Sequence, residues 1–320
     1  MALGIVYHSW WKRWRGRYAD EAFLPFTDAL QLLDHCKKLG AAGLQISVDK
    51  WADDFALQVR RHAETLGLFL EGSVTLPSRE DEVPHFADTL RRAKDAGVTI
   101  LRTAIGGRRY ELYSRHDEFL EFKKTAISSL QLAAPIAEKA NVRLGVENHK
   151  DFHAAELAEI LRSLSSVAIG ACIDTGNNIA LLEEPTSVVE VLAPFAVTCH
   201  LKDMAVQPSP DGFFLAEVPL GEGMLDLQSM VDTLKAANPQ IRLNLEMITR
   251  DPLSIPCLQP SYWPTFPDKL AVELATALGS VQHYAAPELT VVSKLTLPEA
   301  LKLEEDNIVS CLKYAKEHLS

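Results

Sequence analysis

The sequence predicts an α/β protein, a (β/α)8 barrel followed by an extra C-terminal helical segment, and three observations carry that expectation. Eight short apolar runs alternate with helix-length amphipathic stretches, the pattern of a parallel sheet with crossover helices. No GxGxxG or GxxxxGK[ST] loop follows the first run, so an open nucleotide-binding sheet lacks its main signature. In the second half, four successive runs each end on a residue able to bind a metal: Glu147, Asp174, His200 and Glu246. Strand tips of a closed parallel barrel converge on one mouth, where such a set would meet.

The predicted strands are LGIVYH (3–8), GLQIS (43–47), GLFLEG (67–72), TILRTA (99–104), RLGVEN (143–148), IGACID (169–174), AVTCH (196–200) and RLNLEM (242–247). Each is a short apolar or β-branched run bounded by polar or turn residues, which marks a buried strand. Helices are expected over 27–39, 51–66, 80–96, 117–140, 153–164, 186–193 and 226–237, several opening on a Thr, Asp or Ser cap. The first two intervals between the ligand-bearing tips match one strand-plus-helix repeat; the third, from His200 to Glu246, is longer and predicts a loop-bearing unit. The stretch DPLSIPCLQPSYWPTFPD (251–268) holds too many prolines for a helix or inner strand and predicts a long loop at the mouth. An eighth barrel helix is expected over 268–279, then a closing helix from near Pro298 with apolar Leu301, Ile308, Leu312 and Ala315, surplus to a minimal barrel. The expected organisation is a barrel domain over 1–280 and a helical extension over 281–320, packed on the barrel or at a contact between two copies in a homo-oligomer.

Composition narrows the functional classes. With 47% hydrophobic and 23% charged residues, the chain can bury a substantial core. A net charge of −11 and a pI near 5.4 argue against general nucleic-acid binding, which needs a basic field. The five cysteines are widely spaced and form no CxxC, so neither a disulfide framework nor a zinc cluster is expected, and a reducing compartment is. No apolar run approaches the roughly 18 residues of a membrane span, and Trp10, Trp11, Lys12 and Arg13 interrupt any leader-like segment. A cytoplasmic protein with no membrane partner is expected.

Three carboxylates and one imidazole are mostly hard donors. They suit one divalent ion, Mn²⁺, Mg²⁺ or Co²⁺ with Zn²⁺ also admissible, that keeps open positions for substrate oxygens. The segments GVENHKDF (145–152), ACIDTGNN (171–178), CHLKDM (199–204), PLGEGMLDL (219–227) and LNLEM (243–247), in this order, resemble the xylose-isomerase-like TIM-barrel superfamily of sugar isomerases, epimerases and inosose-type dehydratases. The resemblance covers residues from about 1 to 268. It implies that Glu147, Asp174, His200 and Glu246 hold one cation and that Glu147 and Glu246 flank the substrate from opposite faces as catalytic groups. A small sugar or keto-polyol is then the expected substrate.

That arrangement implies chemistry through an enediolate stabilised by the metal, formed when a proton leaves the carbon beside a carbonyl. An isomerase or epimerase is the first expectation, and a lyase dehydrating a keto-inositol or keto-sugar the alternative. An abasic-site endonuclease shares the barrel but would need a basic rim and further histidines; a sugar-binding barrel without turnover would not need paired glutamates. Ketose 3-epimerases of this superfamily place a histidine three residues after the aspartate ligand and an arginine six after the histidine ligand. Here those places hold Asn177 and Val206, so that grip on substrate is absent.

Further substrate-binding candidates are His8, Glu71, Arg102, His149, Lys202 and Asn177. His8 and Glu71 end strands one and three, Arg102 lies in strand four, and strand alternation puts Lys202 on the same side as His200. Their structural alternatives are a core histidine for His8, an ion pair between Glu71 and Arg102, a hydrogen-bonded support for His149, and a salt bridge such as Lys202–Asp203. WWKRWRGRY (10–18) offers an aromatic wall for a sugar face. GGRRYE (106–111) reads as an anion grip or a solvated loop, and the glycines of GEG (221–223) as a tight turn. Cys172 and Cys199 are expected to be packing residues.

Overall fold

A computed structural model describes residues 1–20 and 22–319. Seven parallel strands come first: β1 (Gly4–Val6), β2 (Gly43–Ser47), β3 (Phe69–Ser73), β4 (Ile100–Thr103), β5 (Arg143–Glu147), β6 (Ile169–Asp174) and β7 (Ala196–Leu201). The chain then leaves the barrel as a hairpin, β8 (Asp203–Ser209) and β9 (Gly212–Val218), before β10 (Arg242–Leu245) closes the ring between β7 and β1. All eight predicted strands are present, and the protein is a closed eight-stranded parallel barrel. The Phe69 ring lies across the starts of β1 and β2. A Cβ at Gly4 or Gly43 would come within 2.5 and 2.4 Å of that ring, so both positions need glycine for close approach.

The outer helices follow from the same patterning. α1 (Ala29–Leu39) starts at Asp28, which accepts from the Leu30 and Gln31 amides, and stops at left-handed Gly40. α2 (Asp53–Leu66), α3 (Val83–Asp95), the single turn α4 (Arg109–Leu112), α5 (His116–Ala140), α6 (Ala154–Leu164), α7 (Pro185–Leu192) and α8 (Leu227–Ala237) follow in order. One large apolar cluster joins the inner faces of these helices to the strands.

Two features depart from the sequence expectation. The long third interval is not a simple loop, because β8 and β9 pair antiparallel, and β11 (Leu253–Ile255) from the proline-rich stretch adds to the free edge of β9. This three-stranded sheet carries its own apolar cluster, including Val206, Phe213, Leu215, Ile255 and Tyr262. The second concerns the last helices. The helix expected to complete the barrel, α9 (Ala271–His283), packs Leu274, Ala277, Leu278 and Val281 on that second cluster. The helix expected to be surplus, α10 (Leu297–His318), buries Ile308, Cys311 and Ala315 in the barrel cluster. Its Glu305 contacts His35 of α1 and its Asn307 donates to Thr249 just beyond β10, so α10 fills the outer ring between β10 and β1. The insert offers α9 a competing apolar face, and α10 takes the vacant place.

Candidate metal centre and its surroundings

The barrel brings its four strand-tip candidate ligands together. Glu147, Asp174, His200 and Glu246 are all buried, and each offers one ligand atom within 4.8 Å of the others. His200 Nδ1 lies 3.3 Å from Glu246 Oε2 and 3.7 Å from Glu147 Oε1. Its other nitrogen is fixed: Nε2 donates to Gln45 Oε1 at 2.7 Å, which leaves Nδ1 as the nitrogen able to act as a ligand. Among the described residues, buried His200 Nδ1 and Asp174 Oδ2 make no hydrogen bond. Two buried ligand-type atoms without a hydrogen bond, the aspartate oxygen held only by the Lys202 ammonium 3.0 Å away, stand beside two more carboxylates, a donor set that fits a divalent cation.

Below this quartet lies a polar layer that the sequence reading assigned differently. Glu71 is fully buried and does not reach the mouth: its Oε2 accepts from Gln45 Nε2 at 3.1 Å, Thr198 Oγ1 at 2.7 Å and Asn244 Nδ2 at 2.9 Å. Thr198 and Asn244 each precede a ligand by two residues, so Glu71 braces Gln45 and the two ligand strands from inside. Arg102 clamps Glu147 rather than pairing with Glu71, and Asn177 Nδ2 donates to Glu147 Oε1 at 3.0 Å. Lys202 reaches Glu246 Oε2 at 2.9 Å, Asp174 Oδ2 at 3.0 Å and Glu217 Oε1 at 3.3 Å, while Asp203 holds the GEG turn through the amides of Gly221, Gly223 and Leu225.

His8 meets Glu246 Oε1 at 3.3 Å with part of its ring open to water, and its edge faces exposed Trp11. Within the aromatic segment only Trp11 is exposed in this way; Trp10 is fully buried. His149 sits at the rim with Nδ1 donating to the Gly106 carbonyl at 3.0 Å. The GGRRYE segment is neither an anion grip nor fully solvated. Arg109 is buried between the Phe119 and Phe266 rings and bonds Glu156 and the Thr265 carbonyl, acting as a strut. All five cysteines are buried thiols.

Charge sets the protonation states. Burial pushes the Glu147 and Glu246 carboxyls up, but Arg102, His149 and His200 around the first, and Lys202 and His200 around the second, hold both well below the usual range. Burial, despite Lys202, raises Asp174, which also feels Glu147 and Glu246. Burial lowers His149 to about 4, so its ring is neutral at pH 7.

Four residues of the site were not found by sequence reasoning. Gln45 is a polar residue in the middle of GLQIS, a signal that was available. Glu217 and Arg250 pair with each other at 2.6 Å, and Glu217 reaches the ligands through Lys202. They belong to the insert and the loop after β10, which sequence periodicity alone does not bring together. Lys150, buried after β5 with φ +69°, is the fourth.

Comparison with known proteins agrees with this geometry. Residues 33–265 match the family described as xylose isomerase-like TIM barrel. The chain belongs to that family. It is 27% identical over 241 residues to 3-oxo-isoapionate decarboxylase of Pectobacterium atrosepticum, an alignment covering 73% of this chain and 81% of that one. Among solved structures it resembles D-psicose 3-epimerase of Clostridium cellulolyticum H10, with TM-score 0.60 and 14% identity over 89% of this chain and 99% of the other. A xylose isomerase-like barrel protein of Mycobacterium smegmatis in complex with magnesium gives TM-score 0.58 and 13% identity over 89% and 98%. At these identities the structural likeness establishes the fold, and among the described residues no helix is long and apolar enough to cross a membrane.

Proposed function

We propose that this barrel is a divalent-metal-dependent lyase that decarboxylates a sugar-derived 3-oxo acid through an enediolate-type intermediate. The observation that carries the reading is the charge balance of the buried mouth. The network holds four carboxylates, Glu147, Asp174, Glu217 and Glu246, against four cations, Arg102, Lys150, Lys202 and Arg250. A divalent ion in the quartet adds two positive charges, which suits an anionic substrate better than a neutral sugar. The decarboxylase relative supports the same class.

A cation held by Glu147, Asp174, His200 and Glu246 would supply Lewis-acid stabilisation of negative charge growing on the substrate's carbonyl oxygen. In the reaction the C1–C2 bond breaks, its electron pair forms the C2–C3 double bond, charge moves to the C3 oxygen and CO₂ leaves. Protonation at C2 completes the product. Arg102 and Asn177 fix Glu147, and Lys202 and His8 fix Glu246, so the ligand oxygens are preorganised. Its contact with Glu246 and partial exposure to water support a role for His8 in passing the returning proton inward.

A second reading, the isomerase or epimerase, is favoured by the two buried ionised glutamates, which can take and return a proton. Asn177 and Val206, where ketose 3-epimerases carry gripping side chains, count against it. The test is CO₂ release and proton NMR in D₂O from the Mn²⁺-loaded enzyme with 3-oxo aldonates, ketoses and keto-inositols, alongside EDTA and Glu246→Gln controls. Metal-dependent CO₂ release with one deuterium at C2 supports the lyase. Deuterium exchange into a neutral ketose, with no CO₂ from any acid, overturns it in favour of isomerisation.

A further inference from the structure

Lys150 is a buried ammonium with no carboxylate in ion-pairing contact. Only 6% of the residue is exposed, and its Nζ donates to Asn177 Oδ1, a neutral amide. Among the described residues it makes no ion pair, whereas Lys202 makes three, to Asp174, Glu217 and Glu246. Burial lowers Lys150 to about 8, with Lys202 and Arg250 adding to the effect and Asp174 and Glu217 opposing it, so the group stays mainly protonated at pH 7. Its backbone is held in the left-handed region, with its carbonyl accepting from the Arg109 amide at 2.9 Å, a costly conformation for a lysine. Buried charges are ordinarily paired, and an unpaired one costs stability unless something else neutralises it.

We infer that Lys150 is the specificity residue for the substrate's carboxylate, its missing counter-ion arriving with the substrate. The inference deepens the decarboxylase reading and rests on it for the identity of the anion. Through Asn177, which also donates to Glu147 Oε1 at 3.0 Å, the ammonium is one amide away from a ligand of the metal centre. A carboxylate bound at Lys150 would then lie one amide from a residue of the quartet, which suits an acid whose carbonyl is close to its carboxylate. One ammonium and one amide match a monoanion; a phosphate dianion would need more donors than are present.

The experiment compares wild-type, Lys150→Met and Lys150→Arg proteins, all Mn²⁺-loaded, by calorimetric titration with D-gluconate, D-glucitol and D-glucitol 1-phosphate. None of these probes has a ketone, so none can decarboxylate. Wild type is expected to prefer gluconate to glucitol. Lys150→Met should lose roughly tenfold to a hundredfold in gluconate affinity, the size of a charge-assisted bond, with glucitol unchanged and the melting temperature not lowered. Lys150→Arg should keep part of the preference. Equal losses for gluconate and glucitol, or no gluconate preference in wild type, overturn the proposal. A Lys150-dependent preference for glucitol 1-phosphate overturns the carboxylate assignment in favour of a phosphorylated substrate. Lys150-dependent gluconate binding with no CO₂ from any 3-oxo acid sinks the lyase reading and leaves Lys150 as an anion anchor. CO₂ release by Lys150→Met with wild-type KM sinks the Lys150 assignment alone.

Discussion

Replacing Gln45 with Leu tests whether the metal centre depends on the polar layer beneath it. Gln45 is 1% exposed and sits between His200 Nε2 at 2.7 Å and Glu71 Oε2 at 3.1 Å. Leucine fills nearly the same space but accepts nothing, so His200 Nε2–H loses its acceptor and the ring its reason to present Nδ1 to the other ligands. Glu71 keeps Thr198 and Asn244, so the damage centres on His200. Leaving one buried donor unmet costs about 1–3 kcal/mol of folding stability. Losing the hydrogen bond that orients a ligating histidine weakens metal binding by about tenfold to a hundredfold, or about 1.4 to 2.7 kcal/mol. The assay is a Mn²⁺ titration followed by the electron paramagnetic resonance of free Mn²⁺, with urea unfolding in EDTA run in parallel. A metal affinity within twofold of wild type, together with the expected stability loss, would refute the idea that Gln45 sets the ligand tautomer.

Three other outcomes follow from the charges and packing. Lys202→Met leaves Asp174, Glu217 and Glu246 without their shared cation, so the metal-free variant should lose about 3–5 kcal/mol and Mn²⁺ should raise its melting temperature more than wild type's, checked by thermal scans with and without the ion. Burial raises Glu304 to about 7, against the Lys12 and Arg13 amides that it accepts; since the unfolded group titrates near 4.5, the folded state holds the extra proton between these values and stability falls as pH rises through that window. Glu304→Gln should flatten that fall by up to about 3 kcal/mol between pH 5 and pH 8, measured by urea unfolding at both. Arg109→Ala should cost about 2–4 kcal/mol by emptying the space between Phe119 and Phe266 and unpairing Glu156, while Mn²⁺ affinity stays within twofold, as a strut remote from the ligands requires.

The barrel and the convergence of its four candidate ligands were legible in the sequence because both obey local rules. A strand tip can be read from a short apolar run, and the same reading places Glu147, Asp174, His200 and Glu246 on one rim without knowing what lies between them. The roles of the last two helices were not legible, since both have helical length and apolar faces. Which one closes the ring was decided by an insert whose residues Val206, Phe213 and Leu215 make a competing surface for α9. Glu71 was misplaced for a related reason. Strand periodicity gives its direction, toward the barrel interior, but its depth along the axis depends on register, and β3 pairs Glu71 with Gln45 rather than bringing it to the rim.

The same insert explains how a rim with four ligands gains selectivity beyond the ligands themselves. Glu217 reaches the mouth because β9 returns alongside β8, and there it shares Lys202 with Asp174 and Glu246 while binding Arg250. Without Glu217, Arg250 would lose its partner carboxylate and be free to attract any anion near the metal, while Lys202 would keep Asp174 and Glu246. With it they are occupied, and the ammonium left out of direct ion pairs is Lys150, which donates to Asn177. The hairpin therefore narrows the place where a substrate anion can settle. Glu217→Gln should relax that restriction: gluconate binding would become less sensitive to Lys150→Met, because Arg250 could then serve in its place. Calorimetric titration of the double variant against the two single variants measures this coupling. Strictly additive effects would show that Glu217 has no part in directing the anion to Lys150.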